Sequence, residues 1–136
     1  MISICPRCDK AFFVLEFKGI EMDFCHQCRG LWLDAGELEL LLERTGADAH
    51  DPLLKFQQQE SRRAKGRRLL CPRCHRRLVE IEVKGGTSPA IILNRCKRNH
   101  GLWFDQSELQ QLLAMFPSAS GASKTVAYLK DLLGKR

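Results

Sequence analysis

The chain of 136 residues carries 22 Lys and Arg against 16 Asp and Glu, a formal charge of +6, and seven cysteines. That length allows one ordinary domain or two very small ones, and no apolar run approaches the roughly 20 residues needed to span a bilayer. Met1 is followed almost at once by Cys5, with no basic and apolar leader between them, so the expected compartment is the reducing cytoplasm. There, cysteine pairs read as metal ligands before disulfides, and an odd number of thiols fits that reading.

Taken in chain order, the first element is the knuckle Cys5-Pro6-Arg7-Cys8. Phe13, Leu15 and Phe17 then alternate with Val14 and Glu16, and after Lys18-Gly19 come Ile20, Met22 and Phe24 alternating with Glu21 and Asp23. A period of two on either side of a short turn predicts a hairpin of half-buried strands. It delivers the chain to a second knuckle, Cys25-His26-Gln27-Cys28. Beyond Trp32, Asp34 and Glu37 have capping-box spacing, and Leu38, Leu41 and Leu42 form the stripe of a short helix stopped at Gly46.

Residues 47–68 are polar and increasingly basic, a linker expected to be a solvated helix broken at Gly66. The first unit then recurs. Cys71-Pro72-Arg73-Cys74 repeats the first knuckle, and Gly101-Leu102-Trp103-Phe104-Asp105 repeats Gly30-Leu31-Trp32-Leu33-Asp34. Between them, Val79, Ile81 and Val83 alternate with Glu80 and Glu82, and a longer turn through Gly85, Gly86, Thr87, Ser88 and Pro89 leads to Ile91–Leu93. Asp105 with Glu108 and the stripe Leu109, Leu112, Leu113 and Phe116 predict a second short helix ending at Pro117. The tail offers one more amphipathic segment, with Val126, Leu129, Leu132 and Leu133 on one side, able to dock in cis or to make a dimer.

The expected fold is a small, metal-stabilised α+β protein of two tandem zinc ribbons, each a β-hairpin between two metal knuckles followed by a short α-helix. A basic linker joins them and an amphipathic helix ends the chain. The domains are residues 1–46 and 69–117, with linker 47–68 and tail 118–136. Units of about 45 residues bury too little apolar surface to fold unaided, and a structural zinc contributes on the order of 10 kcal/mol. The first site is Cys5, Cys8, Cys25 and Cys28, two Cys-x2-Cys pairs brought together by a hairpin. The second is Cys71, Cys74 and Cys96 with His100, because Asn99 stands where Cys28 does and His100 follows one place later. His26, His50 and His75 are expected to face solvent. Trp32 and Trp103 are expected as core residues under their hairpins rather than as base-stacking platforms.

These residues resemble the transcription-factor zinc-finger family, the TFIIB-type zinc ribbons. The family pattern is a C-P-x-C knuckle, a hairpin, a C-x-x-C knuckle and G-x-W-L-D-x-G-E-L. The first copy matches in full, including Gly36, Glu37 and Leu38; the second departs at Asn99 and His100 and has Ser107 in place of Gly36. The resemblance implies two bound zinc ions and a ribbon fold, with a transcription-related or regulatory role.

The expected function is a zinc-binding, non-catalytic module that contacts a protein partner or nucleic acid and no membrane. The basic residues Arg62, Arg63, Lys65, Arg67 and Arg68, with Arg73, Arg76 and Arg77 on the adjoining knuckle, are the candidate phosphate contacts. Filling both sites lowers the formal charge to about +3, because seven thiolates outweigh two divalent ions. A catalytic metal needs an open coordination position and a nearby base, and the fourth knuckle offers no Asp or Glu for the task. The alternatives are a redox- or metal-responsive zinc–thiolate sensor, and iron in the first site, since rubredoxin-like knuckles resemble Cys-Pro-x-Cys.

Overall fold

The structure, a computed structural model, describes residues 3–44, 46, 62–63, 68–84 and 89–115. Phe116, Pro117, the C-terminal amphipathic segment, most of the linker and residues 85–88 of the longer turn lie outside them. The elements are β1 (Phe13–Phe17), β2 (Ile20–Phe24), β3 (Leu31–Asp34), α1 (Glu37–Arg44), β4 (Arg62–Arg63), β5 (Val79–Val83), β6 (Ile91–Arg95), β7 (Gly101–Phe104) and α2 (Glu108–Leu113). Both expected hairpins form, with Phe17 opposite Ile20 and Val83 opposite Ile91. The turn between β1 and β2 has only Lys18 and Gly19, at φ of 51° and 82°. Positive φ at both positions matches the right-handed twist of the flanking strands.

Each repeat adds a third strand that the alternation rule overlooks. Leu31-Trp32-Leu33 and Leu102-Trp103-Phe104 are apolar throughout because β3 and β7 are buried on both faces. These two strands pair with each other, Trp32 directly opposite Trp103, and weld the repeats into one antiparallel seven-stranded sheet in the order β1-β2-β3-β7-β6-β5-β4. The linker enters the same sheet. Arg62 and Arg63 are extended and pair with β5, so the expected helix is absent at those two positions.

The two faces of the sheet do different work. On one, Met22, Leu31, Leu33, Ile81, Leu93 and Phe104 pack under the helix stripes Leu38, Leu41, Leu42 and Leu109, Leu112, Leu113. On the other, Trp32 and Trp103 pack with Cys5, Cys25, Cys71, Cys96, Leu69 and Leu78. Successive strand residues point to opposite faces, so the single Trp of each central strand is directed toward the cysteines while its Leu and Phe neighbours meet the helices. Gly46, at φ 88°, ends the first helical segment as expected, its N–H reaching the Glu43 carbonyl.

Candidate metal centres

Each cluster is assembled by turns before and after a hairpin. In the first three knuckles the residue four after the leading cysteine is left-handed: Asp9, Arg29 and His75, at φ of 59°, 66° and 64°. Each returns its N–H to the carbonyl of that cysteine at 2.8–3.0 Å. The turn exposes further amides to sulfur. Arg7 and Cys8 donate to Cys5 Sγ at 3.4 and 3.3 Å, Arg73 to Cys71 Sγ at 3.3 Å and Arg98 to Cys96 Sγ at 3.3 Å. Such donors favour thiolate over thiol, as a metal ligand requires.

The fourth knuckle solves the same problem by a different turn. Its left-handed residue is Asn99, three after Cys96, at φ 61°, and Asn99 N–H reaches the Cys96 carbonyl at 3.0 Å. The overall span is unchanged, since Cys96 bonds Gly101 O as Cys25 bonds Gly30 O. Moving the left-handed residue back one place frees the next side chain, His100, to turn inward. Asn tolerates that conformation better than most side chains. His100 Nδ1 lies 3.4 Å from Cys96 Sγ and 4.0 Å from Cys71 Sγ.

Cys5, Cys8, Cys25 and Cys28 bring their ligand atoms within 4.8 Å of one another, as do Cys71, Cys74, Cys96 and His100. Cys5 and Cys28 Sγ are 3.7 Å apart, and Cys74 and Cys96 Sγ 3.6 Å. Four thiolates about 2.3 Å from a tetrahedral zinc stand about 3.8 Å apart, so both sets fit that ion. The bare thiols divide their protons unevenly. The mutual hydrogen bond, together with burial, raises Cys5, while the same bond lowers Cys28 to about 5. Burial lifts Cys71 to about 12; it also opposes ionisation of Cys74, but hydrogen bonds from the Arg76 amide and His100 bring that thiol down to about 7. Of the histidines outside the two sets, His26 and His75 are exposed as expected, His26 packing against Phe13 with ring centroids 4.9 Å apart, and His50 lies outside the described residues.

The two centres are tied together through their knuckle arginines. Arg73 Nε and Nη2 grip both oxygens of Asp34 at 2.8 and 2.9 Å, Nη2 also reaches Asp23 at 2.7 Å, and Nη1 bonds Ser3 Oγ. Arg7 mirrors this with a single acid, Asp105, at 2.9–3.0 Å. Each Asp also accepts from its own tryptophan, Trp32 Nε1 to Asp34 at 2.8 Å and Trp103 Nε1 to Asp105 at 3.1 Å. Burial opposes the charge on Asp34, but the bonds from Arg73 and Trp32 outweigh it and hold the carboxyl below its usual range. Arg73, expected among the phosphate contacts, is therefore occupied as a clamp between repeats.

The capping box is likewise half of what the spacing suggests. Glu37 and Glu108 reach back to the Asp34 and Asp105 amides at 2.7 and 2.8 Å, but the aspartate side chains go to tryptophan and arginine. Gly30 and Gly101 complete the lock. A Cβ on Gly30 would strike the Trp103 ring, and one on Gly101 would strike the Leu33 carbonyl and stand 2.7 Å from the Trp32 ring. Each glycine is a socket for the other repeat's tryptophan, and both rings are fully buried. The sequence signal was available in the identical spacing of Arg, Gly, Trp and Asp in both copies. Repetition alone did not say that these residues meet one another across copies.

Two four-ligand sets, each on a ribbon with a trailing helix, define a tandem zinc-ribbon protein. The chain belongs to the transcription factor zinc-finger family, whose model matches residues 4–44 and 70–115. No curated protein and no solved structure matches it with significance. No described helix is long and apolar enough to cross a membrane.

Proposed function

We propose that the chain is a zinc-stabilised, non-catalytic module that contacts a protein or nucleic acid in a transcription-related or regulatory role. The observation that carries this reading is the closure of both ligand sets: four donors to a tetrahedral ion leave no position for an activated water. The metals then act on the fold, fixing the knuckles on one face of a shared sheet. Cys5, Cys8, Cys25 and Cys28 hold one zinc, and Cys71, Cys74, Cys96 and His100 the other.

Of the candidate phosphate contacts, Arg68 and Arg76 are exposed. Arg73 is engaged by acids, and the side chains of Arg62, Arg63, Lys65 and Arg67 lie outside the described set. The engagement of Arg73 by acids and the half-buried position of Arg77, together with the reduced charge of the zinc-loaded chain, favour a protein partner over nucleic acid. Metal analysis should give two zinc ions per chain in a colourless protein; a red protein would indicate iron at the first site. Binding to duplex DNA and to RNA at low and moderate salt then separates the partner classes. Affinity that collapses with salt supports phosphate contacts, and no binding at low salt leaves the protein-contacting version. The sensor alternative draws on the half-buried Cys8, Cys28 and Cys74, and it requires zinc release at micromolar peroxide with recovery on reduction.

A further inference from the structure

The two ends of the sheet are related by the repeat yet finished differently. In the second repeat β4 lies along the outer edge of β5, Arg62 in register with Glu80 and Arg63 with Val79. The corresponding edge of the first repeat is β1, the last strand of the sheet, and among the described residues no strand pairs with its outer side. The residues equivalent to Val79 and Glu80 are Phe13 and Val14. Val79 is buried under its covered edge at 7 % exposure, while Phe13 and Val14 are 55 % and 59 % exposed, the two most exposed large apolar residues described.

The open edge can bond. Across a two-residue hairpin the pair next to the turn, Phe17 and Ile20, exchanges backbone hydrogen bonds, and alternate pairs do the same. Val14 and Glu16 therefore turn their N–H and C=O groups outward, a template for an added strand. The edge also carries an unbalanced charge. Glu16 stands directly opposite Glu21, a like-charge pair that costs stability, and among the described residues neither forms an ion pair. At the equivalent place in the second repeat, Glu82 faces Ile92 and pairs with Lys84 at 3.2 Å.

We propose that the outer edge of β1 is a docking site for an extended, basic segment of a partner protein, which adds as an antiparallel strand. The partner's backbone pairs with Val14 and Glu16, its cationic side chains answer Glu16 and Glu21, and its apolar side chains cover Phe13 or Val14. The inference rests on the reading of the chain as an interaction module, and β4 on β5 is the chain's own instance of the same pairing with an arginine in register with a glutamate. A second copy is the poorer occupant. Pairing β1 with β1 would bring two acidic rows into one sheet.

The test uses the full zinc-loaded chain and a synthetic peptide of alternating arginine and valine, with a control in which alternate residues are proline. Backbone amide NMR should show perturbations centred on Val14 and Glu16, with protection of those amides from exchange. The proline control should not bind, because it lacks the donors for a ladder. Glu16→Lys should weaken the peptide about ten-fold while leaving the zinc content at two, and Val14→Pro, which removes one outward donor, should weaken it similarly. Perturbations elsewhere, equal binding by the proline control, or wild-type affinity in both variants would overturn the proposal. So would a chain that dimerises in solution through β1. No peptide binding alongside two bound zinc ions and an intact fold would overturn the docking edge alone, so the module reading fails separately.

Discussion

The two repeats differ most where they do not touch and least where they do. The first has four thiolates, a two-residue hairpin turn, Gly36 ahead of its helix and an open edge strand. The second has three thiolates and an imidazole, a longer turn, Ser107 at the same point and an edge taken by β4. Yet Cys-Pro-Arg-Cys, Gly-Leu-Trp, Asp and Glu-Leu are the same in both. Arg7, Gly30, Trp32 and Asp34 each have a counterpart, Arg73, Gly101, Trp103 and Asp105, and together the eight make the cross-repeat lock. Internal identity in this chain therefore marks the first knuckle of each metal set and the interface between repeats, and divergence marks the second knuckle and the two ends of the sheet.

The largest effect should come from the ligands. Cys28→Ala and His100→Ala should each lower bound zinc from two per chain towards one, and chelation of both should unfold the chain, because structural zinc supplies about 10 kcal/mol or more. Mass spectrometry under native conditions checks the count. Equal losses would place the two centres on the same footing; two zinc ions retained by His100→Ala would make the second a three-thiolate centre completed by water. Next come the sockets. Gly101→Ala, whose Cβ meets the Leu33 carbonyl, should cost about 3 kcal/mol, and Gly30→Ala, which meets only the edge of Trp103 and a carbonyl at 3.1 Å, about 2 kcal/mol. Urea unfolding measures both, and a neutral Gly101→Ala would break the interlock.

What could be read in the residues ahead of the structure follows from range. The knuckles, both hairpins and the helix stripes are local patterns of spacing and period, and they were legible. Cys28 was legible from spacing, and His100 only as the next candidate after Asn99; the compensating shift of the left-handed position is visible only in three dimensions. The third strands were missed because Leu-Trp-Leu, buried on both faces, has no alternation to detect. The partners of Asp34 and Arg73 were missed because they lie 39 positions apart. Local rules assigned the one to a helix cap and the other to solvent or phosphate.

The clamps should split the repeats more finely. Arg73 holds two acids from a more sheltered position, whereas Arg7 holds one and is 41 % exposed. Arg73→Ala should cost about 2 kcal/mol and Arg7→Ala about 0.5 kcal/mol. Arg73→Lys should recover little, since an ammonium cannot grip both oxygens of Asp34. Equal costs would mean that the fork adds nothing beyond a single surface ion pair.

Between the helix-entry glutamates the repeats should behave alike. Burial pushes Glu37 and Glu108 up to about 7 from an ordinary 4.5. The folded chain thus holds each proton more tightly than the unfolded chain does. That contribution is complete below about 4.5 and is lost progressively as pH rises from there through about 7, so each glutamate should lower stability between about pH 4.5 and 7.5. Glutamine can still accept from the Asp34 or Asp105 amide and cannot ionise. Glu37→Gln and Glu108→Gln should each flatten the decline in melting temperature over that range, and an unchanged slope would show that neither group titrates there.

The smallest effect is the one in which the second repeat should improve by imitating the first. Ser107 and Gly36 occupy the same left-handed position, at φ 69° and 88°. A serine there bears a Cβ in a region that glycine enters freely, and its hydroxyl makes no side-chain cap to the helix. It accepts only an exposed bond from Gln111 Nε2 at 3.2 Å, a weak return for the backbone cost. Ser107→Gly should therefore stabilise the chain by about 0.5 kcal/mol, and the reverse change, Gly36→Ser, should destabilise it by about 1 kcal/mol. The asymmetry has a cause: nothing lies within 4 Å of a Cβ built on Gly36, so a serine there meets the φ penalty alone. Should Ser107→Gly instead destabilise, the Gln111 contact is worth more than its exposure suggests, and the second helix entry is built around that serine rather than despite it.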